Sequence, residues 1–169
     1  MAEALPERIR PVSLGRSGAT LNGYLTLASL TRLAALASGT DGDVEVSIEF
    51  KLDEQKVPLV NGTLRTSIGL VCQRCLEPVS VCLDCTLAVA FPDHPETPID
   101  ERYEVAELDG DEVSLRELIE DELILSLPIT ALHGDGEHCD ATPDWQSDSN
   151  SNQQQQNPFS VLAELKILK

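Results

Sequence analysis

Basic and aromatic residues are scarce in this chain of 169 residues. It carries 12 Lys and Arg against 29 Asp and Glu, for a formal net charge of −17, and aromatic residues make up 4%. An acidic surface repels phosphate backbones, and a nucleic-acid module needs a basic patch with exposed aromatics. The composition therefore argues against direct wrapping of RNA and favours attraction of a basic protein. An acidity that only keeps the protein soluble is the alternative interpretation.

Long apolar runs are also missing. No stretch approaches the roughly 20 residues of a membrane span, and Met1–Arg16 lacks the apolar core of a signal peptide. We therefore expect a cytoplasmic protein with no membrane association. Thiols stay reduced in the cytosol. Closely spaced cysteines in a cytosolic protein are therefore more often metal ligands or redox groups than structural disulfides.

The apolar spacing between Val44 and Phe91 predicts an antiparallel sheet. Apolar residues alternate with polar ones through this region, as in strands with one buried face. Asn61-Gly62 is the strongest two-residue signal for a hairpin turn. We predict a β-meander of about four strands, either barrel-like or a half-open sheet.

Helical spacing flanks this predicted sheet on both sides. The residues Thr26–Gly39 have the period of a helix, with Gly39 placed to end it. Ser114 and Glu117 form a capping box at the start of an acidic helix that stops at Pro128. The predicted fold class is α+β, with a helix before the meander and a capped acidic helix after it.

The chain divides into three predicted segments. Residues 1–145 form a single α+β domain that includes a Cys-x-x-Cys knuckle. Gln146–Gln156 is a low-complexity linker, rich in Gln, Ser and Asn. Residues 157–169 recover apolar spacing, so we expect this C-terminal segment to dock back on the domain.

Four of the five cysteines lie within Leu70–Cys85, as two Cys-x-x-Cys pairs. Cys82 and Cys85 are three residues apart in an unbroken alternation, so their side chains point to opposite faces and cannot share a metal. Cys85 lies in the apolar row and is interpreted as a small buried hydrophobe. Cys72 and Cys75 lie where a strand ends and the chain reverses, which lets two thiolates converge on one tetrahedral ion.

The remaining ligands must come from another part of the chain. The loop "LHGDGEHCD" after Pro128 is the other cluster of suitable side chains. We predict a zinc site of Cys72, Cys75 and Cys139, completed by His133, with His138 as the substitute. By residue type and spacing alone, unligated thiols explain the pattern equally well.

Enzymatic interpretations fit this sequence poorly. A thioredoxin-like oxidoreductase places its Cys-x-x-Cys at a helix N-terminus, whereas this pair follows a strand. Glu120, Asp121 and Glu122 could suggest a carboxylate-based hydrolase, but on a capped helix we expect that they mostly line the solvent side. The sequence shows no phosphate-binding Gly loop and no local Ser-His-Asp motif. We therefore expect a protein that is not an enzyme.

Three blocks of the sequence resemble the signature blocks of the bacterial YceD family. They are "NGTLRTSIGLVCQRCLEP", "LIEDELILSLPITALHGDGEHC" and "NPFSVLAELK", in that order. The resemblance places Cys72, Gln73, Arg74 and Cys75 on the family's knuckle. It places Glu120, Asp121 and Glu122 on its acidic helix and Pro128 just after that helix. It places His133, His138 and Cys139 on the loop that follows.

The resemblance implies a cytoplasmic, non-enzymatic factor for the accumulation of large-subunit 23S ribosomal RNA, through its synthesis, processing or assembly. The negative net charge favours a basic protein as the partner, either a ribosomal protein or an rRNA-processing factor. Residues 91–169 carry 19 acidic and 4 basic side chains, so we expect the partner to meet that half. The alternatives from other classes are a zinc-binding nucleic-acid module and a thiol redox protein.

Overall fold

A computed structural model describes residues 5–94, 96–108, 110–134 and 139. The strands are β1 (Arg8–Ile9), β2 (Thr20–Thr26), β3 (Asp43–Leu52), β4 (Pro58–Val71), β5 (Pro78–Ala90), β6 (Glu104–Val105) and β7 (Val113–Ser114). The helices are α1 (Pro11–Ser17), α2 (Thr31–Leu36) and α3 (Leu115–Leu125), with a short 3-10 helix at Leu27–Ser29. None of these described helices is long and apolar enough to cross a membrane.

The predicted α+β class is confirmed, and the sheet is half-open instead of a closed barrel. Its strand order is β2-β3-β4-β5-β6, so β2 and β6 are the edges. Pairing is antiparallel from β2 to β5, and only the short β6 runs parallel to β5. Strands β1 and β7 form a separate antiparallel pair. Helices lie before and after the long strands, as expected.

The long strands bury one face, because apolar residues occupy alternate positions. On β3, Val44, Val46, Ile48 and Phe50 are buried while their neighbours are exposed. Helix α3 contributes its own apolar stripe to the same core. Its buried apolar side chains are Leu115, Ile119 and Leu123.

The predicted hairpin turn at Asn61-Gly62 is wrong. Both residues lie inside β4, where Gly62 pairs with Ile48 of β3 and Leu87 of β5. A Cβ atom on Gly62 would lie 2.6 Å from the carbonyl oxygen of Ser47. The glycine therefore permits the close approach of two strands, which is a usual reason for glycine within a strand.

The β3–β4 turn lies earlier, at residues 53–57. One carboxylate oxygen of Asp53 accepts hydrogen bonds from the N–H groups of Gln55 and Val57, each at 2.8 Å. Lys56 takes the left-handed conformation that the reversal requires, with a φ of 66°. An aspartate that bonds its own following backbone is a frequent turn device, and here it replaces the Asn-Gly dipeptide.

The first predicted helix is shorter than Thr26–Gly39. The 3-10 helix at Leu27–Ser29 and α2 are separated by Leu30, whose φ of −94° and ψ of 84° break the helical backbone. Leu27, Leu30 and Leu33 are all buried, so the apolar spacing was a correct indication of the buried face. Strand β2, just before it, was not predicted, because Gly23 is its one buried residue.

The Ser114 half of the predicted capping box at the start of α3 is confirmed. The Ser114 hydroxyl oxygen accepts a hydrogen bond from the Glu117 N–H at 3.2 Å, and the helix ends at Leu125, before Pro128. The predicted linker Gln146–Gln156 and the segment 157–169 lie outside the described residues.

Candidate metal centre

The knuckle between β4 and β5 is closed by its own backbone. The Cys72 N–H donates to the Glu77 carbonyl, and the Leu76 N–H donates to the Cys72 carbonyl, each at 2.9 Å. Leu76 adopts a φ of 64°, in the left-handed region that few residues other than glycine occupy. This tight reversal brings the side chain of Cys75 back toward Cys72.

The loop that follows α3 lies against this knuckle. The Gln73 N–H donates to the Ala131 carbonyl at 2.9 Å, and Nε2 of His133 lies 3.1 Å from the Pro78 carbonyl oxygen. These two contacts hold residues 131–133 beside the reversal. Segments that are almost sixty residues apart in the sequence therefore share one site.

The structure brings together the four side chains predicted as ligands. Cys72, Cys75, His133 and Cys139 place their ligand atoms within 4.8 Å of one another. Sγ of Cys72 lies 3.8 Å from Sγ of Cys139, and Sγ of Cys75 lies 3.4 Å from Nδ1 of His133. A tetrahedral zinc with Zn–S of about 2.3 Å and Zn–N of about 2.0–2.1 Å has S···S edges of about 3.8 Å and S···N edges of about 3.6 Å. These residues therefore fit a four-coordinate zinc ion, while its binding stays a prediction.

The imidazole of His133 is oriented for ligation through Nδ1. A carbonyl oxygen only accepts hydrogen bonds, so the contact with Pro78 requires Nε2 to carry the proton. In the neutral imidazole, the unprotonated Nδ1 then faces the sulfur of Cys75. Histidine ligands of metals usually donate their other ring N–H to a carbonyl or carboxylate in this way. The substitute ligand His138 lies outside the described residues.

The Cys72 thiol has a lowered pKa, which favours its thiolate form. Burial opposes its ionisation, but the backbone N–H groups of Cys75, Arg74 and His133 point at the sulfur and lower its pKa to about 5. Hydrogen bonds to a charged form stabilise that form. The knuckle therefore supplies a thiolate, which is the form that binds a metal.

Without a cation, the crowded thiols disfavour a further thiolate at Cys75 and favour a protonated imidazole at His133. At Cys75 the Glu77 N–H lowers the pKa, but burial and the thiols of Cys139 and Cys72 outweigh it and raise the pKa. The thiols of Cys139 and Cys72 raise the pKa of His133. A divalent cation would reverse both effects, because it favours thiolates and a neutral imidazole.

Arg74 is a fifth member of the cluster that the sequence did not single out as a site residue. Its Nε–H donates to Sγ of Cys139 at 2.9 Å, and the contact raises the pKa of the guanidinium. Three thiolates and a neutral imidazole around a divalent ion carry a net charge of −1, which this guanidinium neutralises. The signal available in the sequence was an arginine between the two cysteines of the knuckle.

The second Cys-x-x-Cys pair does not join the cluster. Cys82 is exposed and Cys85 is buried, 4% exposed, so the two side chains lie on opposite faces as predicted. Burial raises the pKa of Cys85, which keeps this thiol protonated and unreactive.

The expectation that Glu120 faces solvent is wrong. Its side chain is 5% exposed, and its carboxylate accepts hydrogen bonds from the N–H groups of Arg32 at 2.7 Å and Leu33 at 3.1 Å. The carboxylate thereby caps the start of α2, while Arg32 also pairs with Asp121 at 2.7 Å. These acids are structural contacts between α2 and α3, which does not support a hydrolase site.

Comparisons with known proteins agree on one family. The family model described as "Large ribosomal RNA subunit accumulation protein YceD" matches residues 60–166, a range that includes the knuckle, α3 and the loop to Cys139. A curated relative from Haemophilus influenzae (strain ATCC 51907 / DSM 11121 / KW20 / Rd), named "Large ribosomal RNA subunit accumulation protein YceD", is 32% identical over 169 residues. That match covers 96% of each of the two chains. No solved structure matches the chain significantly.

Proposed function

The chain belongs to the YceD family, and we propose that it supports the accumulation of large-subunit (23S) ribosomal RNA by holding a basic protein partner. The relative from Haemophilus influenzae bears the name of an accumulation protein for large ribosomal RNA, which supports the first half of this proposal. The charge distribution supports the second half.

The observation that carries the proposal is that most basic side chains of the described residues contact other groups of the same chain. Among the residues that the structure describes, at least seven of the basic side chains already contact a partner within the chain. They are Arg8, Arg10, Arg32, Lys51, Arg65, Arg74 and Arg102. Binding of an RNA backbone is driven by basic groups that neutralise phosphates. A chain of net charge −17 whose cations are used in this way is suited to a basic protein.

One arginine on the sheet and one in the knuckle each contact a group of the same chain. Nε of Arg65 lies 3.1 Å from the Asp84 carboxylate, and Arg74 contacts Cys139. Each has its charge compensated locally, so the pair makes a poor basic face for phosphate.

We also propose that Cys72, Cys75, His133 and Cys139 hold a structural zinc ion. The 3.8 Å and 3.4 Å separations and the orientation of His133 support this. Four protein ligands leave no open position for water or substrate, so such an ion stabilises the fold and does not catalyse a reaction. It would tie the β4–β5 hairpin to the loop after α3.

A thiol redox function is the competing interpretation of the same cysteines. The low pKa of Cys72 is the property in its favour. Cys72 is nevertheless 0% exposed, and a redox thiol must be reached by its substrate. Burial of the thiolate therefore favours the structural role.

The experiment measures 23S rRNA relative to small-subunit rRNA in a host that lacks its own gene for this protein. We expect the ratio to fall on deletion and to recover when this chain is expressed. The ratio should not recover with a variant that does not accumulate as folded protein. An unchanged ratio on deletion would overturn the proposed role.

A further inference from the structure

A small groove lies between β6 and α3, and we call it the β6 groove. Six apolar residues line it, namely Leu87, Val89, Val105, Ala106, Leu118 and Leu125. Three carboxylates complete the lining, namely Glu104, Asp121 and Glu122. Its volume is about 120 Å³, well below the roughly 300–1,000 Å³ of pockets that bind cofactors or drug-sized molecules. The groove therefore suits a single side chain.

The rim of the β6 groove exposes large apolar side chains. Val105 is 59% exposed and Leu125 is 70% exposed, although both are large apolar residues. Apolar rims next to charged groups favour long basic side chains, whose carbon stems cover apolar surface while their heads stay polar. The shape of the groove is thus matched by a lysine or an arginine.

The three carboxylates of the β6 groove differ in whether they form an ion pair with a basic side chain of the protein. Asp121 is paired with Arg32 at 2.7 Å. No lysine or arginine of the described residues forms an ion pair with Glu104 or Glu122. Burial raises the pKa of Glu122, and the charge of Glu104 raises it further. Two repelling carboxylates beside apolar walls are stabilised by an incoming cation.

A second groove adjoins the β6 groove through shared lining residues. Val105 and Ala106 line both grooves, and the second one, of about 360 Å³, adds the carboxylates of Asp93 and Glu107. The combined surface is acidic and has an apolar floor. Its two grooves of about 120 Å³ and 360 Å³ give room for more than one residue of a polypeptide.

We propose that the β6 groove receives a lysine or arginine side chain from a basic segment of a protein partner, with its head between Glu104 and Glu122. The carbon stem packs on Leu118 and Leu125, and the neighbouring part of the segment follows the second groove. The proposal rests on the proposed function, because it locates the site at which the basic partner is held.

The test uses a fluorescein-labelled peptide of three Leu-Arg-Ala repeats as the probe for the full-length protein. Fluorescence anisotropy should show that this peptide binds and that the same peptide with citrulline in place of arginine does not. We expect the double variant Glu104→Gln/Glu122→Gln to bind the arginine peptide at least about tenfold more weakly, a loss of about 1.4 kcal/mol.

The matched control is Glu45→Gln/Glu49→Gln, which removes the same charge from exposed positions on β3. It should change the affinity by less than about twofold, because distant exposed charges are screened by salt. Equal weakening by the two double variants would show diffuse attraction and overturn the proposal. Failure of the wild-type protein to bind the arginine peptide would overturn it too.

The rRNA assay separates this proposal from the function on which it rests. If the proposal holds, the Glu104→Gln/Glu122→Gln protein fails to restore the 23S ratio that the wild-type chain restores. If both chains restore the ratio equally, the β6 groove is not the site, while the proposed function stands. If deletion leaves the ratio unchanged, the proposed function itself fails.

Discussion

The carboxylate of Glu120 on α3 accepts a hydrogen bond from the backbone N–H of Arg32 at 2.7 Å, 88 residues earlier in the chain. The same carboxylate accepts from the Leu33 N–H and from Nε of Arg32. A residue of the late helix thus supplies the N-terminal cap that α2 lacks in its own sequence. This contact fixes α3, and with it the start of the loop that carries His133, relative to α2.

We therefore predict that Glu120→Ala lowers the free energy of unfolding by about 2–3 kcal/mol, because it leaves buried N–H groups without an acceptor. Glu120→Gln should cost less, since an amide oxygen can still accept one of these bonds. Glu122→Gln is the control on the same helix and should be neutral or stabilising, because Glu122 is half-buried beside Glu104 without a cation in the described residues. Urea unfolding of the three variants measures this, and an equal loss for both positions would contradict it.

The same two residues should give opposite dependences on pH. At Glu120 burial raises the pKa, but the hydrogen bonds from Leu33 and Arg32 outweigh it, so the folded pKa lies below 4.5. Its stabilisation is therefore present above pH 4.5 and is lost as the pH falls through the folded value. Glu122 has a raised pKa, so its contribution is present below pH 4.5 and is lost as the pH rises through the folded value.

Unfolding of the wild type and Glu120→Gln, measured at pH 7 and at a pH below the folded pKa of Glu120, tests the sign for that residue. The destabilisation of Glu120→Gln should shrink as the pH falls through the folded pKa of Glu120, since the wild-type carboxyl then takes up a proton too. A destabilisation that stays constant between the two pH values would show that the charge of Glu120 is not what stabilises α2.

The proposed zinc site predicts the metal content of the purified protein. Elemental analysis of protein purified without chelator should give about one zinc per chain, because four ligands complete one tetrahedral site. Cys75→Ser and Cys139→Ser should reduce this amount. Cys82→Ser is the control, since Cys82 is exposed on the other face of β5 and lies outside the cluster. Wild-type protein that is folded and free of zinc would contradict the site.

Arg74 should influence the retention of the metal without binding it. Loss of its contact with Cys139 leaves a thiolate uncompensated, and outer partners of metal ligands typically change affinity by roughly 10–100-fold. We expect Arg74→Ala to bind one zinc but release it faster to a chelator. Arg65→Ala removes an arginine that pairs with Asp84 instead, so its release rate should match the wild type. Equal rates of zinc release for the two variants would show that Arg74 does not influence the metal site.

Much of the local structure was predictable, because it depends on neighbouring residues. The alternation in Val44–Leu52 indicates a strand with one buried face, and Ser114 with Glu117 forms a cap within one turn. The ligand types at Cys72, Cys75 and Cys139 also indicated which side chains could meet, since thiolates with an imidazole are a typical set for zinc.

The errors arose where distant residues decide the outcome. Asn61-Gly62 has the local pattern of a turn, but the position of Gly62 is set by the backbone of Ser47 on the adjacent strand. Glu120 has the spacing of an exposed helical residue, yet the N–H groups that bind it come from residues 32 and 33. No window of sequence around either residue contains these partners.

The most direct test of the central claim compares binding of the purified full-length protein to naked 23S rRNA and to the purified basic proteins of the large ribosomal subunit. We predict that at least one of these proteins binds, that its binding weakens steeply as salt rises, and that naked rRNA binds weakly in the same assay. Tight, sequence-selective binding to naked 23S rRNA, with none of the basic proteins bound, would contradict the account.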